Sequence, residues 1–93
     1  MSEMPMIETQ FRADLEAGGY EVREVTWEAG QTNDAHAHEF SAKLLCVAGS
    51  VQIFTDSGER TYKVGEHFEM SAGAVHREVA GAEGARLVVG RKY

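Results

Sequence analysis

Ten glycines divide this 93-residue chain into short segments, and the sequence contains only one proline. Beyond Gly19, most of these segments alternate apolar and polar residues, which is the period of a β-strand with one buried face. About seven or eight such segments follow one another, and turn signals such as Asp56-Ser57-Gly58 separate them. Many short strands with frequent turns are typical of a β-sandwich or a β-barrel. The sequence therefore predicts an all-β fold.

The first 19 residues break this pattern. From Ile7 to Ala17 the apolar residues recur at helical spacing, and Gly18-Gly19 follows as a C-terminal stop. A helix this short is not stable by itself, so we expect it to pack on the sheet. The chain is also too short for two domains. We therefore predict an N-terminal helical extension, residues 1–19, and a β-barrel domain, residues 20–93, that fold as one unit.

The strand pattern has one dominant element. Phe40 to Ala48 is the most apolar segment, and it is predicted to be buried on both faces. Residues 81–84 are predicted to form a loop. The other predicted strands are Tyr20–Glu28, Val51–Thr55, Glu59–Val64, Glu66–Met70, Val75–Val79 and Ala85–Val89, with Gln31–Ala35 as a turn or a short strand.

Charge and cysteine content limit the possible partners and compartments. The formal charge is −6, and the lysines and arginines form no basic cluster, which disfavours binding to nucleic acids and to anionic membranes. No apolar run is long enough to span a bilayer. The chain has one cysteine and no recognisable secretory signal, so we expect a reducing, cytoplasmic location.

The four histidines are the residues best suited to specific chemistry. His36 and His38 are two positions apart, so on a strand both side chains lie on one face and can bind one metal ion. A third ligand must come from another strand, and either His76 or His67 is able to supply it. The spacing alone is a weak signal, because two solvated loop histidines would also give it.

The glycines around these histidines strengthen the signal. Gly30, His36, His38 and Gly49 have the spacing of one motif, and Gly65, Gly73 and His76 have the spacing of a second. Together they resemble the two sequence motifs of the cupin superfamily, over about the last three quarters of the chain. The resemblance implies a small double-stranded β-helix of the jelly-roll type. It also implies an interior site for one divalent metal, held by three histidines and a glutamate, in which His36, His38 and His76 are the histidine ligands.

The sequence departs from that pattern at the glutamate. The corresponding position is Ala42, while Ser71 and Ala80 replace the usual proline and asparagine of the second motif. The site therefore resembles the three-histidine variant of the superfamily, known in thiol dioxygenases and in some dioxygenases of diketones. Three imidazoles suit transition metals better than Mg or Ca, and the candidates are Fe, Zn, Ni, Cu and Mn. Zinc would activate water, whereas iron would allow oxygen chemistry.

Several residues near the motifs have two interpretations. His67 is either a fourth ligand or an exposed histidine, and Cys46 shares the parity of the interior residues, where a free cysteine usually acts as a small hydrophobe. Glu39 is expected to be a solvated charge on the opposite face. Arg77 and Glu78 are expected to form a surface pair. Alternatively, Arg77 binds the carboxylate of a small molecule at the barrel mouth.

Two functions fit this sequence. The first is a small metal-binding cupin that supports a dioxygenase- or isomerase-type reaction on a small molecule, with no catalytic residue assigned. The alternative is a non-enzymatic barrel that binds or senses a small molecule and has a weak or vestigial metal site. The resemblance and the small size also imply a homodimer, because association covers exposed sheet edges.

Overall fold

The computed structural model describes residues 4–93, and it places one helix and six strands within them. The helix α1 spans Met4–Ala17, and it begins three residues before the predicted Ile7. The strands are β1 (Glu21–Trp27), β2 (Thr32–His36), β3 (Ser41–Thr55), β4 (Gly58–Lys63), β5 (His67–Met70) and β6 (His76–Lys92).

Two long strands organise the sheet. β3 and β6 run antiparallel from the pair Ser41↔Lys92 to the pair Phe54↔Arg77. The edge of β3 that does not face β6 pairs with β5 along its first half and with β4 along its second half. In the same way, β6 pairs with β2 near its start and with β1 near its end. This antiparallel arrangement confirms the predicted jelly-roll barrel with one short helix.

The prediction of separate strands around Gly49 and around residues 81–84 was wrong. The predicted strands Phe40–Ala48 and Val51–Thr55 are one continuous β3, and the predicted loop at 81–84 lies within β6. The register of the β3–β6 pair shifts on both sides of Gly49, which marks β-bulges. A bulge bends a strand without ending its pairing, so one strand can belong to two parts of the barrel.

Gly49 is required at this bend. Its φ is +70°, in the left-handed region that favours glycine. A Cβ at this position would also collide with the carbonyl oxygen of Gly84 on β6. The glycine signal therefore marks a close approach of two backbones, and it does not mark the end of a strand.

The helix covers the outer face of the sheet. Leu15 is buried and packs with Leu45, Val47 and Val88, while Phe11 lies beside this cluster. Leu15 also lies directly over Gly90, where a Cβ would meet its side chain. The next residues along β3 face the opposite way, into the barrel, so this strand is buried on both faces as predicted.

The barrel interior holds the second and larger core. Its fully buried members include Cys46, Val51 and Leu87. Leu44 and Val89 belong to this core and also line a cavity at its edge. The apolar core thus ends at the cavity that contains the histidines. Among residues 4–93, no helix has the length and apolarity needed to cross a membrane.

Candidate metal centre

Three of the four histidines converge beside the cavity, and two of them, His36 and His38, line it. His36 ends β2, His38 follows in the connection to β3, and His76 begins β6, where it is the register partner of His36. The ring centroids of His36 and His76 are 4.3 Å apart. One ring nitrogen from each histidine lies within 4.8 Å of the other two. The fold therefore brings together the three histidines that the motif spacing selected.

Two of these rings have a fixed orientation. Nδ1 of His36 lies 2.6 Å from the carbonyl oxygen of Asp34, and Nδ1 of His76 lies 3.0 Å from that of Ala74. A carbonyl oxygen only accepts, so each Nδ1 carries the proton and donates it. In a neutral ring, Nε2 then presents its lone pair. This is the tautomer that binds a metal through Nε2, with the backbone carbonyl as the outer partner.

His76 is the most buried of the three. Only 2% of its surface is exposed, and its Nε2 has no hydrogen-bond partner among the described residues. A buried polar atom without a partner costs about 1–3 kcal/mol. A metal ion bound by this nitrogen would remove the cost, so the donor set fits such an ion.

Glu78 adds a carboxylate to the three imidazoles. It lies two residues after His76 on β6, shares its inward face and is only 5% exposed. Its Oε1 is 3.3 Å from Nε2 of His36 and 3.9 Å from Nε2 of His76. The interpretation of Arg77 and Glu78 as a surface pair was therefore wrong for Glu78. The parity it shares with His76 was the signal in the sequence that places it inside.

The electrostatics of Glu78 favour a cation at this point. Burial raises the pKa of Glu78, and the charges of His76 and His36 together with a hydrogen bond from Asn33 partly offset this rise. Because Nδ1 is protonated on both rings, the Nε2 atom of each neutral ring would turn a lone pair toward the carboxylate oxygen. Facing acceptors repel one another unless a proton or a metal ion lies between them.

His38 completes the group and lines the cavity. Its ring stacks on Phe40 with centroids 4.5 Å apart. Burial lowers the pKa of His38, and His36, His76 and Arg91 lower it further. A lowered pKa keeps the imidazole neutral at neutral pH, which is the form that binds metals.

The cavity beside the histidines has a volume of about 490 Å³. This is within the usual range of about 300–1,000 Å³ for small-molecule sites. One wall is polar and includes His36, His38 and Glu78. The other walls are mainly apolar and include Val25, Trp27, Phe40, Leu44, Met70 and Val89.

Comparisons with known proteins identify the fold. No protein-family model and no curated protein matches this chain. A protein of unknown function from Rhizobium leguminosarum bv. viciae gives a TM-score of 0.74 at 19% identity, over 80% of this chain and 70% of that one. A cupin-2 domain protein from Shewanella frigidimarina gives a TM-score of 0.66 at 20% identity, over 78% of this chain and 71% of that one. This chain has the cupin fold.

Some structures with this cupin fold belong to much longer proteins. Oxalate decarboxylase from Bacillus subtilis, in a study of its Mn(II) centres, gives a TM-score of 0.69 at 18% identity. The match covers 76% of this chain and only 20% of that one. At these identities the likeness shows the fold, and the site must be argued from its own residues.

Ala42, which the resemblance places at the position of the cupin glutamate, lies beside the cavity. Ala42 lies on β3 with its methyl group at the cavity, and it is 4% exposed. Its register partner on β6 is Arg91, which also lines the cavity. The Nε atom of Arg91 is buried and has no hydrogen-bond partner among the described residues. The sequence reasoning missed Arg91, although it shares the inward parity of Val89.

Two other candidates lie away from the histidine group. His67 is exposed and faces α1, with its ring 6.3 Å from that of Phe11. It is therefore on the outer face of the sheet and is absent from the group of three. Arg77 lies over the ring of Phe54 at 3.9 Å and does not line the cavity, so the structure does not support it as a ligand at the mouth.

Cys46 and Glu39 have the surroundings that the sequence suggested. Cys46 is fully buried in the interior core, and its thiol donates weak hydrogen bonds to the carbonyls of Ala48 and Gly49. Burial raises the pKa of this thiol. Glu39 is exposed. Cys46 is therefore a packing residue in this barrel.

Proposed function

We propose that this cupin binds one divalent transition metal ion through Nε2 of His36 and His76 and one ring nitrogen of His38, beside the carboxylate of Glu78. The observation that carries the proposal is the buried Nε2 of His76, which has no partner among the described residues. The fixed tautomers of His36 and His76 support it, since they direct lone pairs at the same space. Three imidazole nitrogens suit a transition metal such as Fe, Zn, Ni, Cu or Mn better than Mg or Ca.

Relatives in fold support the same chemistry. The Bacillus subtilis oxalate decarboxylase is described by its Mn(II) centres, and its match to this chain has a TM-score of 0.69. A barrel of this kind is therefore able to hold a metal ion. The proposal for this chain rests on its own donor atoms, because the sequence identity is only 18%.

The proposed activity is an isomerase-type proton transfer on a small molecule bound in the cavity, rather than a dioxygenase reaction. A bound metal would supply Lewis acidity to an oxygen of that molecule. Glu78 is the group that favours proton transfer, because its carboxylate lines the cavity and its Oε1 lies 3.3 Å from Nε2 of His36, within reach of a proton on a bound molecule. The apolar walls exclude water and orient the molecule.

A cobalt titration tests the metal proposal. Chelator-stripped protein titrated with Co²⁺ should develop visible absorption bands that saturate at about one ion per chain, as expected for a nitrogen-rich site of low coordination number. The exposed His67 provides the matched control, and His67→Ala should saturate at the same point. His76→Ala should lose the bands, because it lacks the buried ligand. A wild-type titration without saturable bands, or equal bands in His67→Ala and His76→Ala, would overturn the proposal.

The second candidate function is a barrel that binds a small molecule without turnover. The cavity of about 490 Å³ with aromatic and aliphatic walls favours it independently of any metal. The two functions differ in whether the bound molecule exchanges protons with solvent, which deuterium incorporation measures. A ligand that binds in the cavity and is recovered without incorporation of solvent deuterium, at any metal loading, would support the binding function.

Assembly, compartment and domain division remain proposals. We propose a homodimer in the cytoplasm, without nucleic-acid or membrane partners, and a division into an extension at residues 1–19 and a barrel domain at residues 20–93. The acidic charge of −6 supports the absence of nucleic-acid partners. Light scattering tests the dimer, which should have about twice the 10.2 kDa mass of one chain. Particles of 10.2 kDa alone would contradict it.

A further inference from the structure

Arg91 is a cation inside the cavity without a partner anion. It is the only lysine or arginine that lines this cavity within residues 4–93, and none of the salt bridges among those residues includes it. Glu21, its register neighbour on β1, forms an ion pair with Arg23 instead. The buried Nε also has no hydrogen-bond acceptor among the described residues.

The loss of the cupin glutamate explains why this charge is available. Arg91 lies opposite Ala42, so a glutamate at that position would face the guanidinium across the strand pair. The alanine leaves the guanidinium and the adjoining space open. The carboxylate of Glu78 does not compensate, because it faces the rings of His36 and His76.

The guanidinium of Arg91 packs against an aromatic ring. Its guanidinium lies 4.9 Å from the centre of the Phe40 ring, and the other neighbours of that ring are His38 and Tyr93. A guanidinium held over an aromatic face uses none of its N–H donors in that contact, so the donors stay available to an anion. Arg91 is thus connected to the histidine group through a single aromatic side chain.

From these contacts we infer that the cavity binds a small monocarboxylate, whose anionic group is held by Arg91 and whose apolar body lies against Trp27 and Phe40. A guanidinium fork matches a carboxylate in two parallel hydrogen bonds. Asp34 and Glu78 also line the cavity, so one arginine is insufficient for a dianion such as phosphate. The inference deepens the proposed function by naming its substrate class, but Arg91 acts independently of the metal.

Matched acids and amides test this inference. The probes are 3-methylbutanoate, benzoate and phenylacetate, each paired with its neutral amide, together with inorganic phosphate. Trp27 is the single tryptophan and lines the cavity, so its indole N–H signal in NMR spectra reports local binding. In chelator-stripped protein at least one acid should bind about tenfold more tightly than its amide, as a charge-assisted bidentate pair predicts. Phosphate should bind at least about tenfold more weakly than that acid.

Arginine variants test whether Arg91 causes the preference for an acid over its amide. Arg91→Gln should abolish the preference for the acid, and Arg91→Lys should keep part of it, since it keeps the charge and loses the fork. Arg77→Gln is the matched control, because Arg77 also lies on β6 over a phenylalanine ring but outside the cavity. Arg77→Gln should keep the full preference.

Three results would overturn the inference. They are equal affinity for every acid and its amide, a preference that survives in Arg91→Gln, and phosphate binding as tight as the best carboxylate. The same titrations in protein supplied with Zn²⁺ separate this inference from the metal proposal. If no zinc is taken up and the Arg91-dependent preference persists, then the metal proposal fails while the carboxylate inference stands.

Discussion

The Oε1 atom of Glu78 lies 3.3 Å from Nε2 of His36, on a ring whose other nitrogen donates to the carbonyl of Asp34. A carboxylate oxygen thus lies beside the one nitrogen of this ring that is not used by the backbone, inside a barrel. Glu78 comes from β6, whereas the cupin resemblance places a glutamate at position 42 on β3. The chain therefore keeps a carboxylate near its histidines, but on a different strand.

Glu78→Gln should weaken metal binding and leave the fold intact. The amide has a similar shape but no negative charge, so we expect the affinity for Zn²⁺ to fall by about 10–100-fold. Competition with a chromophoric chelator measures this change. Glu39→Gln is the control, since Glu39 is exposed, and it should bind zinc as the wild type does. Equal zinc affinity in the wild type, Glu78→Gln and Glu39→Gln would show that Glu78 does not contribute to metal binding.

The same substitution should change how stability depends on pH. Burial raises the pKa of Glu78 above its ordinary value of 4.5. As the pH rises from that value toward the raised pKa, the unfolded chain releases this proton first, so the stability of the metal-free protein falls. Glu78→Gln should lack this decline. Urea unfolding with a chelator between about pH 4 and pH 8 measures it, and identical profiles would contradict the burial of an ionisable Glu78.

Restoring the cupin glutamate with Ala42→Glu should close the site to carboxylates. The new side chain would lie opposite Arg91 and pair with it, as opposite charges on neighbouring strands do. We expect at least about tenfold weaker binding of the best carboxylate probe, because the guanidinium fork is then occupied. NMR titration through the Trp27 signal checks this prediction. Unchanged carboxylate binding would show that Arg91 does not face the position left open by Ala42.

Leu15→Ala should destabilise the protein without affecting the site. Leu15 is 2% exposed and packs between α1 and the outer face of the sheet. Removing a buried leucine side chain typically costs about 2–5 kcal/mol. Met6→Ala on the same helix is the control, because Met6 is 77% exposed. Urea unfolding and zinc titration together check the prediction, which fails if Leu15→Ala alters zinc affinity while the protein is folded.

Cys46 should react slowly in the folded protein. The side chain is fully buried, and burial raises the pKa of its thiol, so little thiolate is present at pH 8. We expect iodoacetamide to modify Cys46 quickly only in denaturant, as followed by mass spectrometry. Rapid modification without denaturant would indicate that the barrel interior opens readily.

The sequence predicted most of the fold and the three histidines, for physical reasons. The spacing of His36 and His38 and the glycines around them define a local backbone geometry, which is a short-range property. The continuity of β3 and β6 was missed, because glycines end strands and also form bulges, and only the β3–β6 pairing separates the two cases. Glu78 and Arg91 were missed because their roles depend on strands that are distant in the chain.

The most direct test of the account is the metal content of the protein and of two histidine variants. After incubation with Zn²⁺ and gel filtration, elemental mass spectrometry should find about one ion per chain in the wild type and in His67→Ala, and almost none in His76→Ala. Circular dichroism confirms that each variant is folded. Equal zinc in His76→Ala and His67→Ala, or none in the wild type, would contradict a metal centre at the three histidines.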